Sequence, residues 1–340
     1  MSVNNRLSKL SFFLYVFIYD YVWIRIILFP YFYETFHSMA FFYSLLLTLI
    51  VSFFVLLLPK KILNHDYEYR YMKSKFKHFY NIVLAVESII GMAYCAYVLS
   101  SVFVRRCNPV VLIVPFSVVM AVISFLKPSD IVQIATWFII GCIGFIVISF
   151  IYTVPMDYSL LFPLKSYSWY FIPIYALLLL SDNLTLLLMD KKNFRLSKPT
   201  FLFSILISLF FFNFELLFTL TTTGDTLLEG LPWLGFLSLS IKPVTKYVGN
   251  FDFAYIILIL VCCIFKYAFN WSVIRNAFKQ KSKKLTWIIA VCLSISSSVV
   301  AALWIKSDFL IDFVLIVFGV GILILGWMLK EVYHASASKK

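Results

Sequence analysis

Charge is scarce in this chain of 340 residues: Asp, Glu, Lys and Arg make up 13% of it, and only 16 residues are acidic. Soluble domains carry about a quarter charged residues, and no stretch here is left for one. Histidine is scarcer still, with four residues scattered at 37, 65, 78 and 334. The six cysteines (Cys95, Cys107, Cys142, Cys262, Cys263 and Cys292) show no CxxC spacing, so a metal centre is not expected. Also missing are an HExxH helix, a nucleophile elbow, a His-x4-Asp pattern and paired carboxylates at a working spacing, and the many serines lack a base. Neither an enzyme nor a cofactor is expected from such a chain. Period-2 alternation is absent as well, which excludes a membrane β-barrel.

What the chain has in abundance is apolar length. It is 62% hydrophobic, its mean hydropathy is +0.94, and runs of about 20 apolar residues recur throughout, each enough to cross a hydrocarbon core of roughly 30 Å. Lipid cannot satisfy backbone polar groups, so the spans must be helices. The fold class expected is all-α: a polytopic membrane protein with about ten transmembrane helices in a single integral membrane domain, 1–340. The spans fall near 10–30, 38–59, 79–104, 108–126, 131–152, 167–189, 200–221, 251–274, 285–305 and 309–330. Arg6 and Lys9 before an apolar run suit a signal peptide, but Asp20 and Arg25 interrupt it and no small-residue cleavage site follows. It reads as the first span.

The net charge of +13 comes from short Lys/Arg tracts between the runs, a pattern of membrane topology rather than of nucleic-acid binding. With both termini cytoplasmic, 21 basic residues lie inside, including Lys60, Lys61, Arg70, Lys73, Lys75 and Lys77 on one loop. Six lie outside: Arg105, Arg106, Lys165, Lys242, Lys246 and Lys306. Positive charge stays on the cytoplasmic side, which decides the orientation. The stretch 222–250 falls outside, is half apolar and is broken by Gly224, Gly230, Pro232, Gly235 and Pro243. It reads as a re-entrant or surface segment.

The segment Leu231-Pro-Trp-Leu-Gly-Phe-Leu-Ser-Leu-Ser-Ile, running on to Asn250-Phe-Asp-Phe-Ala, resembles the part of the spore germination permeases in which a Pro-containing helical segment leads to an acidic residue opening span eight. Phe265-Lys266, Asn108-Pro109, Pro128-Ser129-Asp130 and Met189-Asp190-Lys191-Lys192 fall where that family has comparable residues. The chain thus resembles the B subunit of nutrient germinant receptors, which is similar to amino acid/polyamine/organocation transporters. The resemblance implies a five-plus-five inverted repeat with broken first and sixth helices. It also implies an amino acid ligand, an A-type membrane subunit and a C-type lipoprotein as partners, and residence in the spore inner membrane. Two departures stand out. Tyr21-Val-Trp23-Ile-Arg25 replaces the glycines of the first helix, and Ser181-Asp182-Asn183 stands where a Gly-x-Glu is usual.

A charged side chain at bilayer depth costs at least about 2.5 kcal/mol, so each asks for a partner or a role. Asp20 and Arg25 are five residues apart and poorly placed to meet each other on a regular helix. Arg25 is expected to pair with Asp182, beside Asn183, either as a structural bridge or as part of a ligand site. Glu87, Glu215 and Lys266 are isolated in their spans, and Glu215 with Asn213 is read as lining a water-filled cavity. Asp20 is assigned a structural role. Asp252, at the outer end of span eight, is read as a helix cap. Most of the 37 Phe and 21 Tyr face lipid or its interface in this reading. Trp23 is the exception: in place of a glycine, it would keep the first helix continuous and shrink the central cavity, so that amino acid binding is weak or absent.

Three functions follow. The leading one is a membrane subunit of a spore germinant receptor that senses or conducts a small nutrient such as an amino acid. The others are a secondary transporter of an amino acid or a cation, using Glu215, Asp182 or Lys266 for ion coupling, and a non-binding scaffold subunit whose substrate site is closed.

Overall fold

The computed structural model describes residues 9–23, 29–57, 81–82, 84–86, 88–89, 91, 93, 109–153, 157–161, 169–187, 198–223, 252–278, 292 and 296. Among them every regular element is a helix. We number the α-helices α1 (Lys9–Trp23), α2 (Phe29–Phe36), α3 (Ala40–Leu57), α4 (Pro109–Ile123), α5 (Pro128–Thr153), α6 (Ile172–Leu187), α7 (Lys198–Thr223) and α8 (Asp252–Phe278). The segment 81–93 is helical wherever it is described. Short 3-10 turns at His37–Met39, Tyr158–Leu161 and Trp169–Phe171 complete the set. The segment 224–250 and most of the last two expected spans lie outside the described residues.

Proline marks where these helices begin. Pro109 and Pro128 are first residues of helices, and Pro30, Pro173 and Pro199 are second residues. Their fixed φ suits a first turn, where the missing N–H has no intrahelical acceptor to serve. Pro115 lies inside α4. Asp130 adds a carboxylate to the first turn of α5, complementing the positive end of the helix dipole. Between α2 and α3 the chain turns at His37, whose φ of 43° lies in the left-handed region. The Tyr33 ring meets the imidazole edge-on at 5.7 Å. Residues 30–38 thus hold a short helix and a sharp turn in place of the plain outer loop that the hydropathy pattern gives.

Among the described residues, two helical stretches, His37–Leu57 and Pro199–Thr221, are long and apolar enough to cross a membrane. The sidedness of α3 is what lipid requires. Phe42, Leu45, Leu49, Phe53 and Leu56 are exposed at helical spacing, whereas Ala40, Ser44, Leu47, Val51 and Val55 are buried. One face of it is wholly apolar and exposed while a hydroxyl faces in, the reverse of a helix on a water-soluble core. Ser44, Thr48 and Ser52 donate their hydroxyls back to the carbonyls of Phe41, Ser44 and Thr48, so the inward polar groups are satisfied locally. α4 repeats the arrangement, with Val111, Val114, Val118 and Val122 exposed and Ser117 buried.

The centre of the bundle is α1. Every residue from Leu14 to Tyr21 is buried, and the helix packs on α5, α6, α7 and α8. Around it, α3 packs on α6 and α7, and α8 packs on α4 and α5. Cross-helix hydrogen bonds fix the register: Ser272 donates to the Leu126 carbonyl at 2.9 Å, and the Thr35 and Tyr175 hydroxyls share a proton at 2.9 Å. At the end of α7 the Asp157 backbone N–H donates to the Thr221 carbonyl at 3.1 Å. The Asp157 carboxylate accepts from the hydroxyl and the backbone N–H of Ser159, and these two bonds hold its pKa below the usual carboxylate value.

Candidate functional site

A helix buried all round must offer contacts on every side, and the aromatic run of α1 does so. Tyr19 and Tyr21 are two residues apart, about 200° around the axis, so they leave the helix in different directions. Tyr19 goes to α8. Its ring lies under the Lys266 ammonium, with Nζ 4.3 Å from the centroid, and its hydroxyl donates to Asn270 Oδ1 at 3.0 Å. Lys266 and Asn270 are four apart and share one face of α8. One tyrosine therefore meets both, the cation through its π face and the amide through its phenol. The Asn270 amide then donates to Ser88 Oγ at 3.2 Å, and Ser88 donates to the Leu84 carbonyl at 2.7 Å. This joins α1, α8 and the segment 81–93 in one hydrogen-bonded chain. Phe269 packs the same corner, 4.8 Å from the Tyr15 ring and 6.4 Å from that of Tyr19. A Cβ added at Gly91 would collide with the Tyr267 phenol, so glycine there lets α8 approach.

Tyr21 goes to α7, where its hydroxyl donates to Glu215 Oε1 at 3.1 Å. Phe17, one turn back, packs on Tyr21 at 5.3 Å and on Phe211 at 5.2 Å. Between the two tyrosines stands Asp20, with no accessible surface. Asp20, Glu215 and Lys266 are the buried charged side chains among the described residues, and they come from α1 and the two helices its tyrosines engage. A buried charge is costly unless neighbours compensate it, and here the Tyr19 ring faces Lys266 and the Tyr21 phenol reaches Glu215.

No protein-family model, curated protein or solved structure matches the chain.

Of the residues that the sequence singles out, Glu215 and Lys266 are brought against α1 from opposite sides, on Tyr21 and Tyr19. Asp20 lies buried in the last described turn of α1, three residues before Trp23. Asn213 and Glu215 engage different helices. Asn213 Nδ2 donates to Thr48 Oγ1 of α3 at 3.1 Å while Glu215 faces α1, because a two-residue step turns side chains to different faces. Trp23 closes α1, Asp182 and Asn183 lie within α6, and Asp252 opens α8. Their side chains are outside the described set, as are Arg25 and Glu87 entirely. The Arg25–Asp182 pairing and the Asp252 cap thus fall on undescribed groups. α1 is described to Trp23 and α2 from Phe29, so the expected continuity of the first helix past Trp23 also lies outside the described residues. Among those residues no three His, Cys, Asp or Glu side chains come together to hold a metal.

Sequence reasoning missed Tyr19, Tyr21, Ser88 and Asn270. Two signals could have found them: the tyrosines flank a buried aspartate, and Asn270 lies one helical turn beyond the one lysine of its span.

Proposed function

We propose that this chain is the membrane subunit of a spore germinant receptor, sensing or conducting a small nutrient such as an amino acid. In this reading the chain is a ten-span helical protein of the spore inner membrane, built on a five-plus-five inverted repeat, and it works beside an A-type membrane subunit and a C-type lipoprotein. It carries out no catalytic step. The observation that carries the proposal is the gathering of Asp20, Glu215 and Lys266 around a central helix whose bundle turns apolar faces outward. Ionisable groups inside a membrane bundle are expensive and mark ligand or ion sites, and such sites lie where helices meet near the midplane. A nutrient bound beside α1 would shift the balance between two packings of α1 against α7 and α8, and the partner subunits would read that shift.

The adjacency of helix ends supports the two-sided topology. Leu126 and Ser272, both assigned to the cytoplasmic ends of their spans, meet, and so do Asp157 and Thr221 on the opposite side. The test uses the purified protein in lipid nanodiscs, titrated with the common amino acids, together with spores lacking the chain. Saturable binding that weakens in Glu215→Gln and Lys266→Met, with loss of germination in those spores, is the expected outcome. Solute flux through reconstituted vesicles would favour the transporter reading, in which Glu215 and Lys266 take part in ion coupling. Loss of germination with no binding at all would favour a scaffold closed by Trp23 and Arg25.

A further inference from the structure

We propose that the notch between α1 and α8 is a recognition site for a primary ammonium group, and that Lys266 fills it from within the chain. The notch is organised before any ligand arrives. Its floor is the Tyr19 ring, whose position is fixed by the hydrogen bond from its hydroxyl to Asn270 at 3.0 Å and by the edge-on Phe269 ring at 6.4 Å. Asn270 is in turn fixed by its bond to Ser88 at 3.2 Å. The ammonium lies 4.3 Å from the ring centroid, within the range where the negative face of an aromatic ring attracts a cation. Lys266 is 1% exposed, and Tyr19, Asn270 and Ser88 have no accessible surface, so the attraction operates with little screening by water.

Two consequences follow. The intact protein supplies its own cation at this position, so sodium and potassium have nothing to occupy there. Shortening the lysine leaves a ring-floored space of the size of the lost side chain, open to a small ammonium ion carrying a short alkyl tail.

The experiment compares melting temperatures of the full chain in nanodiscs for wild type, Lys266→Ala and Lys266→Ala/Tyr19→Leu. Each is titrated with ethylammonium, propylammonium, tetramethylammonium, sodium and potassium at constant ionic strength. Propylammonium or ethylammonium should raise the melting temperature of Lys266→Ala saturably, by about 2 °C or more. Wild type and the variant lacking the Tyr19 ring should not respond, and neither should any protein to tetramethylammonium, sodium or potassium. If Lys266→Ala does not fold, it is expressed with and without propylammonium, and recovery of folded protein by the amine is then the predicted result. Lys266→Met, which fills the space with a neutral chain, provides a second reading: it should fold and remain indifferent to amines. The same response with and without the Tyr19 ring, a response to sodium equal to that to propylammonium, or no rescue of Lys266→Ala by any amine would each overturn the proposal.

Discussion

The two sides of α1 solve one problem by different means. On the Tyr19 side a cation, an amide and a hydroxyl from two other segments are threaded onto one tyrosine. On the Tyr21 side the described polar contact is a phenol on a carboxylate, with the Phe17 ring packed beside the phenol. The networked side spreads the burden of burial over several groups, so losing its central member strands the others. On the other side, trimming Tyr21 to phenylalanine removes the described bond to Glu215 and leaves the ring in place. Buried networks are worth more than the sum of their pairs for this reason, and the contrast predicts unequal responses to matched substitutions.

The largest effect should come from Tyr19→Leu, which removes the ring beneath Lys266 and the donor to Asn270 together. Equilibrium unfolding should show a loss of about 3–5 kcal/mol. A loss no greater than that of the matched Tyr21→Leu would erase the distinction between the two sides. Next is Gly91→Ala, where the new Cβ would overlap the Tyr267 phenol. Overpacking of this kind costs about 1–3 kcal/mol, and part of it should return in Gly91→Ala/Tyr267→Ala. Tyr21→Phe should cost about 1–2 kcal/mol, the value of one buried hydrogen bond plus the partner left behind. The smallest effect belongs to Leu49→Ala on the outer face of α3, 67% exposed. In lipid it should change stability by less than about 0.5 kcal/mol, and a larger loss would place that face against protein.

Much of the helical pattern was legible because apolar length is a local signal. The runs that become α3 and α7 need no knowledge of their neighbours. Glu215 and Lys266 were legible for a related reason, since a charge inside an apolar run is conspicuous wherever the run ends up. Tyr19 and Tyr21 were not, being two of 21 tyrosines whose roles depend on which helix lies opposite. Their partners are 251 and 194 residues away in the chain, and nothing in a single sequence states such a pairing. Asn213 and Glu215 engage different helices, Thr48 of α3 and Tyr21 of α1, as the divergence of helix neighbours two apart allows. The short helix Phe29–Phe36 escaped notice because it falls mostly between the expected spans 10–30 and 38–59 and is too short to show a period of its own.

The central claim is that α1 is held from two independent sides, through Tyr19 to α8 and through Tyr21 to α7. Double-mutant cycles in unfolding free energy test it most directly: Tyr19→Phe with Asn270→Leu, Tyr21→Phe with Glu215→Gln, and, across the helix, Tyr19→Phe with Glu215→Gln. The account predicts coupling of about 1 kcal/mol within each of the first two pairs and additivity within about 0.5 kcal/mol for the third. Additive behaviour in both of the first two cycles, or coupling across the helix as strong as within either pair, would contradict it.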